Sequence, residues 1–202
     1  PPPERHGWVL LRAAGGGRMS DGSERSEREE PKNVGDRFGR LPATPAEREV
    51  AGRVARSEVL DYLDDRFGIP PETFTDHTFW EKGAGKIWVV YGDHPSPTEV
   101  EGLGMTCLRT RQEFWKPTTD FVQRFGERAS DCVVVLSDDE AARFMTGEEQ
   151  EVTWGGDWGY LIAARETAGD VVPLGVGLYT YGALDSMVPK GRQRSLPTEP
   201  GR

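Results

Sequence analysis

Residues 132–147, CVVVLSDDEAARFMTG, carry the two kinds of pattern that decide the fold class. Cys132 to Leu136 is an unbroken apolar run of strand length, the pattern of a strand covered on both faces. Ser137 then offers a hydroxyl to the backbone three residues on, and Glu140 offers a carboxylate back, which makes a capping box for a helix. That helix closes at Thr146-Gly147, where glycine tolerates the left-handed turn of a helix end. Working outward, Trp158 to Ala164 and Val171 to Tyr181 alternate like strands, broken by the turn Ala168-Gly169-Asp170. Upstream, Phe79-Trp80 and Ile87 to Tyr91 flank the glycine-containing turn Lys82 to Lys86, which predicts a hairpin. Another short strand fits Leu103 to Arg109, and Lys116-Pro117-Thr118-Thr119 leads into a helix through Phe125. Thr44-Pro45-Ala46-Glu47 supplies a helix start, with Val50, Val54, Val59, Leu60 and Leu63 on one face and Gly68 to Pro71 as its stop. The mixed element order is that of an α+β protein, with two small domains expected to meet near residue 127.

The ends read differently. Residues 1–43 are expected to be a disordered leader and tail, because SDGSERSEREEPK alternates charges with almost no apolar content. The first 18 residues precede the first methionine and contain only the short apolar run WVLL, so an upstream leader with Met19 as the start is expected. From Pro189 the chain is polar and basic and is expected to fray, with 195–202 a flexible tail.

Composition excludes several classes. The apolar runs fall well short of the roughly 18–20 residues a membrane helix needs. Two cysteines, Cys107 and Cys132, cannot build a disulfide scaffold or a four-cysteine zinc site, and they suit a reducing cytoplasm. Both alternate with or border apolar residues and read as strand core. The net charge of −9 argues against coating nucleic acid through bulk electrostatics, which needs cations to displace counterions. Of the 25 cations only five are Lys, and an acidic, Arg-rich surface suits concentrated salt; GC-rich coding gives the same bias.

No catalytic constellation emerges. P-loop, nucleophile-elbow and His-Glu-x-x-His patterns are absent, and no cofactor or metal site is expected. His77 and His94 sit in stretches rich in Asp, Thr and Pro and read as exposed loop residues; a hydrolase built on them is the weakest alternative. Leu174-Gly175-Val176-Gly177 lies inside a strand pattern, where glycine marks close backbone approach rather than a dinucleotide loop.

Charge is unevenly spread. Residues 137–151 hold six acids against Arg143, a net −5, whereas residues 186–196 hold Lys190, Arg192 and Arg194 with no acid, a net +3. Residues 102–128 carry Arg109, Arg111, Lys116, Arg124 and Arg128 against three acids, a net +2. Phe114-Trp115 lies within that basic stretch. Cations beside an aromatic plane suit RNA, since phosphates need charge and splayed bases need a stacking surface. The candidate RNA-binding residues are Arg109, Arg111, Trp115, Lys116, Lys190, Arg192 and Arg194, with Trp115 as stacking platform.

A series of short motifs adds to this. Gly102-Leu103-Gly104-Met105, Phe114 to Thr119, Val133 to Leu136, Ala141 to Glu148, Trp158 to Ile162, Pro173 to Gly177 and Val188 to Arg192 follow one another in order. The series resembles the C-terminal PUA-like RNA-binding region of the Nop/Sun class of RNA cytosine-5 methyltransferases. It is also similar to large-subunit biogenesis factors built from a pre-PUA and a PUA domain. The resemblance covers roughly residues 49–194 and implies a pre-PUA-like α+β domain over 44–126 and a small PUA-like β-barrel over 127–194. It further implies that Gly147 lies in a loop approaching RNA backbone, that Gly175 and Gly177 lie on a curved barrel strand, and that Lys116, Lys190 and Arg192 are basic contacts. Glu148, Glu149 and Glu151 depart from that pattern, because they would repel phosphate beside Gly147. The methyltransferase motifs are missing, so the resemblance implies a targeting module without its enzyme. The expected function is a non-catalytic, cytoplasmic RNA-binding protein in rRNA or tRNA modification or ribosome assembly. The alternative is an adaptor supplying the module in trans to a methyltransferase or assembly factor through the acidic 137–151 face.

Overall fold

The expected strand patterns, together with four short strands not expected, pair into two five-stranded sheets among the residues the computed structural model describes, 37–193. The first sheet is antiparallel and runs in chain order: β1 (Gly39–Arg40), β2 (His77–Glu81), β3 (Lys86–Tyr91), β4 (Met105–Arg109) and β5 (Lys116–Pro117). The second is built from β6 (Val133–Leu136), β7 (Gln150–Glu151), β8 (Gly159–Thr167), β9 (Asp170–Thr180) and β10 (Ala183–Ser186), in the spatial order β6-β8-β9-β10-β7. Only β6 and β8 run parallel in that order, so β6 and β7 form its two edges. With α1 (Arg56–Phe67), α2 (Thr119–Phe125) and α3 (Asp138–Thr146), the chain is mixed α+β.

β8 explains how the layers hold together. Gly159 to Ala164 are all buried, and strand geometry sends alternate side chains to opposite faces. Tyr160 and Ile162 join Val59, Leu63 and Phe67 of α1, Phe121, Val122 and Phe125 of α2, and Phe79, Ile87 and Leu108 of the first sheet in one cluster. Leu161 and Ala163 face the other way and pack with Ala141 and Phe144 of α3. A strand buried on both faces is the reason Tyr160 to Ala164 form an unbroken apolar run in place of the alternation expected there. The boundary expected near residue 127 is crossed by this packing.

α3 matches its sequence signature. The Ser137 hydroxyl accepts from Glu140 N, Glu140 accepts from Ser137 N at 2.8 Å, and Gly147 closes the helix at φ +88°. β9 carries glycines where α3 comes close: a Cβ on Gly177 would lie 3.3 Å from the Phe144 ring and 2.5 Å from Leu184 Cδ1.

Several expectations are corrected. The helix expected from Thr44 is only a 3₁₀ turn, Pro45–Glu47. Gly52, at φ +75°, interrupts the chain, and α1 starts at Arg56 with the Glu58 carboxylate capping Ala55 N at 2.7 Å. The disordered segment expected over 1–43 gives way to order by Phe38, which is fully buried, exchanges backbone hydrogen bonds with Thr98 and packs edge-on against Trp88. Residues 1–36 lie outside the described residues. Cys107 is buried in β4, but Cys132 is half-buried with φ +52° and precedes its strand. His77 is in β2 opposite Tyr91 rather than in a loop, because three aromatic rings (Phe74, Tyr91, Phe125) surround its edge. The fraying expected from Pro189 is replaced, through Gln193, by a 3₁₀ turn (Lys190–Arg192) held by an Arg192–Asp120 ion pair. The tail 195–202 lies outside the described residues.

Candidate nucleic-acid interface

The antiparallel register of β4 and β5 sets Arg109 directly opposite Lys116. Two like charges across a strand pair repel, a local cost that an anion seated between them would remove. Lys116 is half-buried: its ammonium donates to Met187 Sδ at 3.0 Å and sits 5.8 Å from the Tyr160 ring centre. Burial, and then the Arg109 guanidinium, hold the Lys116 pKa below its ordinary value, while Asp185 acts in the opposite direction. The Tyr160 hydroxyl donates to Gln112 Oε1 at 3.1 Å, and burial raises its pKa. Behind the same tyrosine, Arg66 of α1 donates to Tyr160 O at 3.1 Å and to Trp158 O at 3.2 Å. Tyr160 is therefore held at its ring by Lys116, at its hydroxyl by Gln112 and at its backbone by Arg66.

The two basic segments come together here. Met187 touches Lys116, and Arg192 pairs with Asp120 at the start of α2, so the chain from 187 to 192 runs beside the chain from 116 to 120. Lys190 is exposed within its turn, as is Arg111, whose side chain lies over Gly85 of the β2–β3 turn. Arg194 lies outside the described residues. Arg192 is committed to Asp120, which lowers its value as a free phosphate ligand.

Two expected site residues are placed otherwise. Trp115 is half-buried, its ring 5.2 Å from Tyr62 and its carbonyl accepting from the Tyr62 hydroxyl at 2.5 Å. It belongs to the core margin, and the exposed aromatic of that pair is Phe114, at 57%. Gly147 is the left-handed cap of α3 and is covered by the Gln193 side chain, so it is not an open backbone loop. Residue types alone did not point to Arg66, Tyr160, Trp158 or Tyr181. The signal present was the pairing of aromatics with glycine in Trp158-Gly159-Tyr160 and Tyr181-Gly182.

Elsewhere, Arg40, Arg53 and Arg56 line a cavity of about 760 Å³. Each is engaged: Arg40 with Asp93, Arg53 with Glu81 and Arg56 with Phe74 O. Among the described residues, no three His, Cys, Asp or Glu side chains gather as metal ligands, and no helix is long and apolar enough to cross a membrane.

Residues 23–104 match a family of unknown function, DUF7122. The match ends one residue before β4, so Arg109, Lys116 and the whole second sheet lie beyond it. No curated protein matches the chain.

Proposed function

We propose that this chain is a non-catalytic, PUA-like RNA-binding protein, acting in the cytoplasm on rRNA or tRNA during modification or ribosome assembly. The observation that carries the proposal is the Arg109–Lys116 pair, two cations directly opposed across β4 and β5 without a carboxylate in contact with either among the described residues. A phosphate between them neutralises the repulsion, and the adjoining Lys190 extends the basic margin. The motif series and the curved, glycine-bearing β9 support the PUA-like assignment. The acidic total then describes the remaining surface, with binding left to this local cluster.

The test is titration of full-length protein with structured RNA at several salt concentrations. Lys116→Met keeps the stem that packs on Tyr160 and Met187 while removing the charge. It is expected to weaken binding of all RNAs alike and to lower the salt slope by about one. Unchanged affinity and slope in Lys116→Met combined with Arg109→Gln would refute the proposal. A second reading, an adaptor docking a protein partner, draws on the exposed Val135 of edge strand β6 beside exposed Asp138 and Asp139. A partner that survives ribonuclease treatment of a pull-down favours the adaptor, and one that is lost favours RNA.

A further inference from the structure

We infer that Trp158 and Tyr181 form a stacking platform for an unpaired RNA base, an inference that rests on the RNA-binding function proposed above. Trp158 immediately precedes β8, and Tyr181 is the first residue of the two-residue turn joining β9 to β10. Their ring centres are 4.2 Å apart at an interplanar angle of 57°, yet Trp158 is 53% exposed and Tyr181 84% exposed. A core aromatic repays its size through burial; these two gain little of that.

The backbone makes the arrangement more unusual. Tyr181 has φ +52° and Gly182 has φ +90°, left-handed at both turn positions. Such turns favour Asn, Asp or Gly, so an aromatic at the first position is held there against backbone preference. Strain at an exposed aromatic points to a ligand.

Geometry and charge select the ligand. Rings in contact leave no slot between them for an inserted ammonium, which excludes an aromatic cage; what they present is outer faces, suited to a planar heterocycle. Arg66, bonded to Trp158 O, sets positive charge beside the backbone that carries the Trp158 ring. Two residues along β8, Tyr160 carries Lys116 over its ring, which brings the phosphate-binding pair of the proposed function beside the platform. Asp157, in the loop before β8, and Glu151, in β7 opposite Ala183, are both exposed, and their charges disfavour a phosphate-dense duplex at this point. A splayed base on the rings, with its phosphates toward the Lys116–Arg109 pair, satisfies all of these.

The experiment is fluorescence anisotropy of full-length protein with a short single-stranded oligoadenylate and with an RNA duplex of similar length. Tyr181→Asn suits the left-handed turn and keeps the fold; Trp158→Ala removes the other ring. Each is expected to weaken oligoadenylate binding roughly tenfold, the worth of a stacked base, while duplex binding is unchanged. Oligoadenylate binding equal to that of the parent in both variants overturns the platform, and its loss in Lys116→Met leaves the RNA-binding function standing. If the parent binds neither RNA, both proposals fall.

Discussion

Replacing Gly177 and Gly175 by alanine, one at a time, separates close packing from strand propensity at two adjacent sites on the same face of β9. A Cβ on Gly177 would meet Leu184 Cδ1 at 2.5 Å and Cγ at 2.9 Å, with Phe144 at 3.3 Å. Relief requires Leu184 to retreat by roughly 1 Å from a contact that belongs near 3.5–4.0 Å. The branch atom Cγ is itself too close, so a rotamer change alone does not clear it, and Leu184 and Phe144 are both fully buried. Overpacking of this kind costs about 1–3 kcal/mol, against about 0.4–1 kcal/mol returned by the stiffer unfolded chain. The net loss is about 1.5 kcal/mol, or roughly 3–6 °C in Tm for a chain of this size. A Cβ on Gly175 would find Thr119, Val188 and Phe144 at 3.3–3.5 Å, a tight but accommodable fit. Gly175→Ala is therefore expected within about 0.5 kcal/mol of the parent. Thermal unfolding followed by circular dichroism, on full-length proteins in one buffer, reads the difference. Equal Tm losses in the two variants, or none in Gly177→Ala, would refute the packing of α3 and β10 on β9.

Ser137→Ala removes the hydroxyl half of the α3 capping box, leaving the Ser137 backbone N–H to Glu140 bond, and is expected to cost about 1 kcal/mol in urea unfolding at neutral pH. The Ser137 hydroxyl and backbone hold the Glu140 pKa below its ordinary value, so this contribution is present above the ordinary carboxylate range. The part that rests on the charged carboxylate disappears as pH falls through the lowered folded value, and the gap between parent and variant should narrow there to the share of the Glu140 N to Ser137 hydroxyl bond. Burial lowers the His77 pKa, with Arg124 adding to it and Asp76 opposing. The unfolded chain thus takes up this proton first, and stability declines as pH drops below about 6.5 until the folded value is passed. His77→Phe should flatten that decline in unfolding curves measured at pH 7 and 5.5. Gly147→Ala is expected to lose about 1 kcal/mol at the left-handed cap while RNA affinity stays at the parent value, since Gln193 covers the position; a selective loss of affinity would show the loop to be an RNA contact.

Local signals carried as far as their chemistry reached. The capping box at Ser137 and the Ala168-Gly169 turn are encoded within a few residues, and each forms the expected element; the apolar run after Cys132 forms its strand, but at a sheet edge with Val135 exposed rather than covered on both faces. The start of α1 was not legible, because a sound capping pattern at Thr44 is overruled by Gly52 and by the reach of Glu58 to Ala55. β10 was missed for a similar reason: Ala183-Leu184-Asp185-Ser186 has little strand propensity and gains its place by pairing with β9. Trp115 and Trp158 are equally good stacking residues on paper. Their difference is tertiary, since Tyr62 of α1 packs one against the core, whereas the other meets Tyr181, which is itself exposed. The like-charge neighbours Arg109 and Lys116 were singled out by type, but their opposition needed a strand register that seven residues of spacing do not reveal.

The shared cluster around Tyr160, Ile162 and Val176 has a consequence for biosynthesis. The first sheet and α2 are complete as chain by Phe125, yet Val176, which packs against them, is made about fifty residues later. At roughly 5–20 residues per second, that leaves an apolar floor uncovered for about 3–10 s on each ribosome. During that interval Phe121, Phe125, Phe74 and Phe79 form a ready target for a holdase chaperone, and slowing translation between residues 126 and 176 should lengthen that engagement.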